Sequence, residues 1–563
     1  MDCLILGFYE LALDKVIDGY AEMRKYTGAY RHQLHAVLRF RGRWMHYTDI
    51  LNEIISSASG KQSGLHLMRM PGLAVCYLKS FLAQRGLDAE IVNFCNTEKE
   101  QMDTLLRKGP RAVAITTTHY VTETPVKELI RYVRRLSPGS KIILGGPFVN
   151  NICLSSGDIT TQDFIFEKLG ADIYVGSAQG EFTLARTLAA MRNGNTGNLR
   201  EVPNLIFSTE FLKGFDPNSI GAPGLEPPQG SHYIRTPVEI EDNDLNENRI
   251  DWGLFLPSFY APVTFMRTAR GCPFDCAFCS FPTMEGQLRY SRLDEIEKEM
   301  KQLSEGGVRY IIFIDDSFNV PLSRFKEIMR MMIDNNFNFQ WFSYFRCSHA
   351  DEESFDLMRQ SGCRGVFLGI ESGDQEMLDR MNKRVDIERY RTGIRSLHER
   401  GIFTFISLIV GFPGETEQSV RKTIEFLEET RPTFMKAELY FHSHTVPVHK
   451  DAERYGLRGS GYGWQHNTMD WQTACDHLER MYASVQGPLI CPVYLFDFWT
   501  IPYFLSKGIS LDQIKRFLQL CRPLLLNNFN LPEANDGTKT YDSLIELGKE
   551  IASSLNANNG LCT

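Results

Sequence analysis

RGCPFDCAFCS, Arg270 to Ser280, places three cysteines, Cys272, Cys276 and Cys279, within eight residues. The apolar run VTFMRTA, from Val263, leads into it. Gly271 and Pro273 mark a loop where a core strand would have neither. Thiolates at i, i+4 and i+7 on such a loop converge on one metal centre. A tetrahedral zinc site normally takes a fourth Cys or His from a second pair, and the chain has no second CxxC. Three thiolates and one open corner suit an iron–sulfur cluster that keeps one iron free to bind a substrate or cofactor.

The other ten of the 13 cysteines are scattered singly, as reduced buried cysteines usually are, and are too sparse for a disulfide scaffold. Lys and Arg number 61 against 69 Asp and Glu, a net charge of −8. With no basic block, no nucleic-acid partner is expected. The opening MDCLILGFYE has an acid at position 2 and no basic region before a long apolar core, so no secretory signal is expected. The most apolar stretch, CPVYLFDFWTIPYFL (Cys491 to Leu505), contains Asp497 and two prolines and is shorter than the ~20 residues of a spanning helix. These features predict a soluble, cytoplasmic protein with no membrane partner.

On the N-terminal side of the cysteines, residues 1–208 alternate short apolar runs with amphipathic stretches. CLILGF (from Cys3), AEIVNF (Ala89), AVAITTT (Ala112), KIILGG (Lys141) and DIYVGS (Asp172) read as strands, and VKELIRYVRRL (Val126) as a helix. That alternation predicts an α/β, doubly wound parallel sheet. The segment Glu10 to Pro71, rich in His, Arg and aromatics, is expected to be a helical insertion after the first strand. Residues 209–262, with FDPNSIGAPGLEPPQGS, read as a linker. From 263 to 445 the alternation restarts, with strands at VTFMRTA, YIIFID, FQWFSYF, GVFLGIE, FTFISLIVG and KAELYFH. This predicts about six β/α repeats in an open or partial barrel. Residues 446–563 are expected to be a mostly helical C-terminal domain on the substrate side.

CxxxCxxC with an aromatic, Phe278, before the last cysteine resembles the signature of radical S-adenosylmethionine (SAM) enzymes. FIDDSFN (Phe313 to Asn319), LGIESGDQEML (Leu368 to Leu378) and ISLIVGFPGET (Ile406 to Thr416) are similar to that family's second-, fourth- and fifth-strand segments, in order. The resemblance implies that Cys272, Cys276 and Cys279 hold a 4Fe–4S cluster, with the amino and carboxylate groups of SAM on the fourth iron. It implies SAM contacts from Phe278, Glu371, Ser372, Ser407 and Gly411. A carboxylate suits ribose hydroxyls because it only accepts hydrogen bonds and they donate. Asp316 and Arg346 fall at strand ends, where barrel-type sites lie.

In a doubly wound sheet, ligands bind at the carboxyl ends of the strands. Here those ends are TTTHY (Thr116 to Tyr120), GGP (Gly145 to Pro147) and GSAQGEF (Gly176 to Phe182). Glycine pairs let a bulky ligand approach the backbone. GxGxxG after the first strand is absent, since LGFYEL has one glycine. Such a domain ahead of a radical SAM domain resembles the cobalamin-binding, class B radical SAM enzymes. The fold implied is a Rossmann-like cobalamin domain followed by a partial (β/α)6 barrel and a helical C-terminal region. Thr116, Thr117, Thr118, His119, Gly145, Gly146, Pro147, Gly176, Gly180 and Glu181 would line the cobalamin. The chain has no DxHxxG, the motif whose histidine ligates cobalt in methionine-synthase-type domains.

The resemblance implies a radical SAM methyltransferase: one SAM, cleaved with an electron from an external one-electron reductant, gives a 5′-deoxyadenosyl radical, and methylcobalamin gives the methyl group. MDCLILGF, ITTTHY and WQHNTMD (Trp464 to Asp470) look most like the phosphinothricin P-methyltransferase family. The substrate expected is a phosphinate, or an unactivated carbon in a small molecule or a carrier- or peptide-bound intermediate. His442, His444, Trp464 and His466 are candidates for the substrate wall. The alternatives are a non-methylating cobalamin radical SAM enzyme that forms rings or rearranges its substrate, and an iron–sulfur/cobalamin redox protein. Three cysteines speak against the last, because a plain electron carrier usually uses four protein ligands.

Overall fold

The computed structural model describes residues 1–22, 27–155, 158–192, 196–209, 211, 231–282, 286, 288–492, 494, 496–529 and 538–557. Contacts divide the chain into two units, Met1–Leu11 with Pro71–Phe259, and Ala12–Met70 with Tyr260–Thr563.

The first unit is a seven-stranded sheet. Its strands are β1 (Cys3–Phe8), β2 (Ala89–Phe94), β3 (Ala112–Thr116), β4 (Lys141–Gly145), β5 (Ile173–Val175), β6 (Leu205–Ser208) and β7 (Tyr233–Arg235), in the order β2-β1-β3-β4-β5-β6-β7. The first five are parallel and the last two antiparallel. Every residue of β1 is buried, as the unbroken apolar run requires for a strand covered on both faces. The crossover helices are amphipathic: Glu123–Leu136 buries Val126, Leu129, Ile130 and Val133, the stripe a 3.6-residue period puts on one face. Because β2 pairs on one side of β1 and β3 on the other, the strand order reverses at β1. That reversal opens a crevice at the carboxyl ends of β1 and β3.

Two expectations about organisation change here. Part of the expected linker, residues 209–262, belongs to the first unit: β7 is an edge strand of its sheet, and contacts assign residues as far as Phe259 to it. Residues 212–230, which hold most of FDPNSIGAPGLEPPQGS, lie outside the described residues. The insertion after β1 clusters with the second unit. It is helical, as expected, with the addition of a hairpin, Val37–Phe40 and Arg43–His46.

The second unit contains β8 (Val263–Met266), β9 (Tyr310–Phe313), β10 (Gln340–Tyr344), β11 (Cys363–Glu371), β12 (Phe403–Val410), β13 (Phe434–Leu439) and β14 (Leu489–Ile490). They pair in chain order and all are parallel. Six strands match the expected repeats. The short seventh comes from the C-terminal region, so that region extends the sheet. The insertion packs against C-terminal helices. Asn528 Nδ2 donates to the carbonyls of Val37 (2.7 Å) and Leu34 (3.1 Å). Arg31 bridges Glu479 (2.7 Å) and Asp476 (2.8 Å). Helix Thr538–Ala557 lies so close to helix Tyr47–Ser59 that a Cβ on Gly548 would stand 2.6 Å from the Ile54 carbonyl oxygen. Among the described residues no helix is long and apolar enough to cross a membrane.

Gly7 shows how tightly the first sheet is covered. A Cβ there would meet the Asn93 carbonyl oxygen at 2.3 Å. Gly7→Ala is expected to destabilise the protein by about 1–3 kcal/mol, the range for overpacking a core. A denaturation midpoint unchanged from the parent would contradict this packing.

Candidate active site

Parallel strands in chain order deliver all their carboxyl ends to one rim. The cysteine loop leaves the rim after β8. Asp315, buried just past β9, accepts from the Thr268 amide (2.6 Å) and from the Thr268 hydroxyl, while Arg324 donates to the Thr268 carbonyl (2.8 Å). Gly271 then turns at φ +88°, a left-handed conformation glycine adopts without strain. The loop is further held by the Ala277 amide on the Met381 carbonyl (2.9 Å) and by Asn382 Nδ2 on the Asp275 carbonyl (3.0 Å).

The three thiols lie within one another's electrostatic reach. Their sulfurs are nevertheless not all within 4.8 Å of each other; among the described residues only a histidine trio meets that limit. Thiolates about 2.3 Å from one tetrahedral zinc ion lie about 3.8 Å apart. The three thiols are thus held on one loop without being closed around a single point. Burial pushes Cys279 up to about 11, with the neighbouring Cys276, Cys272 and Glu371 adding to it, and burial also raises Cys272. Cys272 and Cys279 are thereby biased towards the protonated form until a metal displaces the protons.

Side chains from three further strand ends stand around the loop. After β9, Ser317 Oγ is 3.8 Å from Cys272 Sγ, and Asp316 is within electrostatic reach of that thiol. Asn319 clamps the backbone of Arg346 after β10, accepting from its amide (2.9 Å) and donating to its carbonyl (3.0 Å). The Arg346 guanidinium lies 3.6 Å from the Phe274 ring centroid and donates to the Lys383 carbonyl. Among the described residues its Nε is buried without a hydrogen-bond partner, as is the Tyr390 hydroxyl, which feels Arg346, Glu371 and Cys276.

Glu371 ends β11 at φ +68°, beyond a register shift against β12. It is buried, and burial raises its carboxyl while Lys383, 3.5 Å away, opposes the shift. Lys383 also donates to the Gly369 carbonyl (2.8 Å) and lies 5.6 Å from the Phe278 ring. Cys279, Phe278, Lys383 and Glu371 thus form one group.

Other expected SAM residues are drawn into the scaffold. Ser372 is buried and tied to Thr423 (3.2 Å) and the Asp374 amide (3.2 Å). Ser407 stands in register between Gly369 and Lys436. Gly411, at φ +95°, leaves room for Trp464, whose ring would be 2.5 Å from an added Cβ. Trp464 is buried, donates to the Tyr440 carbonyl (2.6 Å) and stacks on His466, which reaches the Gly411 carbonyl (3.2 Å). His442 and His444 lie with His449 on the loop after β13.

Sequence reasoning missed Lys383, Tyr390, Glu415 and a buried charge set on β13. There Lys436 and Glu438 pair at 2.6 Å, and both feel Asp497. The signal for this pair was present in KAEL, because charges at i and i+2 of a strand share a face.

In the first unit the crevice between β1 and β3 is stitched by Tyr120, whose hydroxyl accepts from the Tyr9 amide (2.8 Å) and donates to the Gly7 carbonyl (3.2 Å). Thr117 is buried and joins Gly145 and Phe148. Thr118, His119 and Pro147 are exposed, and Thr116, Gly145, Gly146, Gly176 and Gly180 partly so. His119 presents an edge to Phe8 at 5.9 Å. The glycines have a different immediate reason from the one the sequence suggested. A Cβ on Gly146 would meet Thr117 Oγ1 at 2.9 Å, and one on Gly180 would meet Val175 at 2.8 Å, so these glycines admit the protein's own side chains. The result is a rim on which threonine and glycine backbone is partly open to solvent, with His119 and Pro147 exposed beside it. The amides of Phe182 and Thr183, in the first turn of helix Glu181–Arg192, already donate to Glu241 (2.9 Å each). Glu181 itself accepts from Asn243 (2.6 Å).

Glu415 accepts from the Gly411 amide, and burial pushes its carboxyl from 4.5 to about 8, with Asp374 adding to the rise. Between those values the folded protein keeps a proton that the unfolded chain has lost. Stability should therefore fall with rising pH by about 1.4 kcal/mol per unit, then level off above 8. Glu415→Gln keeps an acceptor and removes the titration. Its melting temperature should vary less with pH across this window than the parent's, and equal slopes would contradict the assignment.

Comparison with known proteins agrees with this geometry. The Radical SAM superfamily matches residues 266–427. An uncharacterized methyltransferase of Pyrococcus horikoshii is 25% identical over 377 residues, 64% of this chain and 73% of that protein. The anaerobic magnesium-protoporphyrin IX monomethyl ester cyclase of Rubrivivax gelatinosus is 29% identical over 237 residues, 40% of this chain and 42% of the cyclase. The radical SAM methyltransferase TsrM of Kitasatospora setae, solved with cobalamin and a 4Fe–4S cluster, aligns with a TM-score of 0.55 at 17% identity, covering 86% of this chain and 97% of its own. The cobalamin-dependent SAM radical enzyme OxsB, solved with aqua-cobalamin and SAM, aligns at 0.55 and 14% identity, covering 88% and 79%. Residues 266–427 are therefore a radical SAM domain, in a chain that shares the fold of TsrM and OxsB.

Proposed function

We propose that this protein is a cobalamin-dependent radical SAM methyltransferase. Its substrate would be an unactivated carbon, or a phosphinate phosphorus, in a small molecule or a carrier- or peptide-bound intermediate. The observation that carries the reading is the trio of buried or half-buried thiols on one loop beside the buried Glu371 carboxyl and Arg346, whose Nε has no hydrogen-bond partner among the described residues. The likeness in fold to TsrM and OxsB supports the cobalamin part.

In this reading Cys272, Cys276 and Cys279 hold the cluster. Glu371 accepts from ribose hydroxyls, and Arg346 Nε and Tyr390 Oη donate to SAM oxygens. Phe278 covers one side, while Ser372, Ser407, Gly411 and Glu415 set the strand ends on which SAM rests. Asp316 sits beside Cys272. Thr116 to His119, Gly145 to Pro147, Gly176, Gly180 and Glu181 form the cobalamin rim. His442, His444, Trp464 and His466 belong to the substrate side, Trp464 and His466 acting through the position of Gly411. When bound, the cluster with SAM supplies one-electron reductive cleavage chemistry and cobalamin supplies a transferable methyl group. An external reductant must deliver the electron. The chain's own contribution is placement and the exclusion of water.

Incubating reconstituted protein with methyl-labelled SAM, hydroxocobalamin, a low-potential reductant and candidate substrates tests the reading. Label should enter the product, with 5′-deoxyadenosine and S-adenosylhomocysteine formed in comparable amounts, one SAM serving each role. Glu371→Ala should lower both, through a weakening of SAM binding by about 1–3 kcal/mol. Turnover with 5′-deoxyadenosine alone and no label in the product would contradict methyl transfer. It would favour ring formation or rearrangement, the reading to which the similarity with the Rubrivivax cyclase points.

A further inference from the structure

The loop after β13 gathers three imidazoles, His442, His444 and His449, and one nitrogen from each lies within 4.8 Å of the other two. His449 Nδ1 is 3.3 Å from His442 Nε2, and His449 Nε2 is 3.3 Å from His444 Nδ1. The two 3.3 Å contacts use different nitrogens of His449. One nitrogen from each ring lies within 4.8 Å of the other two, and imidazole nitrogens about 2.0–2.1 Å from a tetrahedral ion stand about 3.3 Å apart, so a modest rotation of the side chains brings three nitrogens onto one ion.

The rings are anchored. The backbone of His442 pairs with Gly461 in both directions (2.9 and 2.8 Å). His442 Nδ1 is 2.9 Å from the Gly459 carbonyl oxygen. A carbonyl only accepts, so Nδ1 carries the proton and Nε2 turns a lone pair towards His449. A backbone carbonyl on the far nitrogen is the arrangement that orients a metal-ligating histidine. On the His449 side, the Val448 amide donates to the carbonyl of Ala277 (2.9 Å), between Cys276 and Cys279. His442 is buried, His449 half-buried and His444 exposed, which gives an ion a route in from solvent.

We infer that His442, His444 and His449 form a second metal site, separate from the three cysteines, that binds one divalent transition ion of the zinc class. Three neutral imidazoles suit zinc, copper or nickel and do not suit calcium or magnesium, which take oxygen ligands. No fourth His, Cys, Asp or Glu joins the group among the described residues. The fourth position is therefore left to water or to an anionic oxygen, as in zinc sites that handle ligands. A bound ion would also fix the His442–His449 loop against the cysteine loop through Val448.

The test uses full-length, cluster-reconstituted protein, equilibrated with zinc chloride and then desalted, with iron and zinc counted together. The expected result is one zinc per chain with the iron unchanged. X-ray absorption at the zinc edge should show nitrogen or oxygen ligands alone. His444→Ala, at an exposed position that folding does not depend on, and His449→Ala should each weaken zinc retention at least tenfold while keeping the iron. Absence of retained zinc, sulfur among its ligands, or zinc retained equally by His444→Ala would overturn the inference and leave the three histidines as a hydrogen-bonded group. Loss of iron or of SAM cleavage in the parent would instead bear on the radical SAM reading, since neither is part of this result.

Discussion

A buried carboxylate anchors the cysteine loop. Asp315 takes both the amide and the hydroxyl of Thr268, and Arg324 takes the carbonyl of the same residue. Asp315 is itself pushed towards its neutral form by burial and drawn back by these donors, so its satisfaction depends on Thr268 staying in place. Three residues further on the chain turns at Gly271 and the cysteines begin. The ends of β8 and β9 are thereby locked together where the cluster ligands leave the sheet, and Asn319 continues the lock to Arg346 after β10. The active rim is built from a series of such short side-chain-to-backbone clamps.

The rim also concentrates buried charge. Glu371, Lys383 and Glu415 are buried, and Lys436, Asp497 and the more open Glu438 lie part-buried. Charges of this kind are costly unless paired or neutralised. Lys383 with Glu371 and Lys436 with Glu438 are paired, while Glu415 is held close to neutral. Arg346 Nε and Tyr390 Oη are left over, buried polar atoms that no hydrogen bond among the described residues satisfies. A ligand rich in hydrogen-bonding oxygens would complete them, and SAM is such a ligand.

The parts of this architecture that arise from local pattern were legible in the sequence. Each apolar run named as a strand is one, because a strand buried on both faces must read as an unbroken apolar run. CxxxCxxC lies inside the span, residues 266–427, that the Radical SAM superfamily matches. Long-range packing left little trace. Nothing local to residues 12–70 says that Ile54 will lie against Gly548, or that Val37 and Leu34 will share Asn528. The linker reading followed composition and missed β7, since three residues pairing with β6 is too short a signal. Gly146 and Gly180, singled out for a bulky ligand, also leave room for Thr117 and Val175. A glycine shows that something comes near and does not say what. Lys436 and Glu438 were hidden inside an otherwise apolar strand, where i, i+2 charge spacing was the only clue.

The central claim is that the three cysteines leave one cluster iron open and that SAM fills it beside Glu371. Electron-nuclear double resonance on the reduced protein, with SAM isotopically labelled at its amino nitrogen and carboxylate oxygens, tests this directly. The account predicts that SAM shifts the cluster's paramagnetic spectrum and that both labels couple to it. A spectrum unchanged by SAM, with neither label coupled, would contradict it.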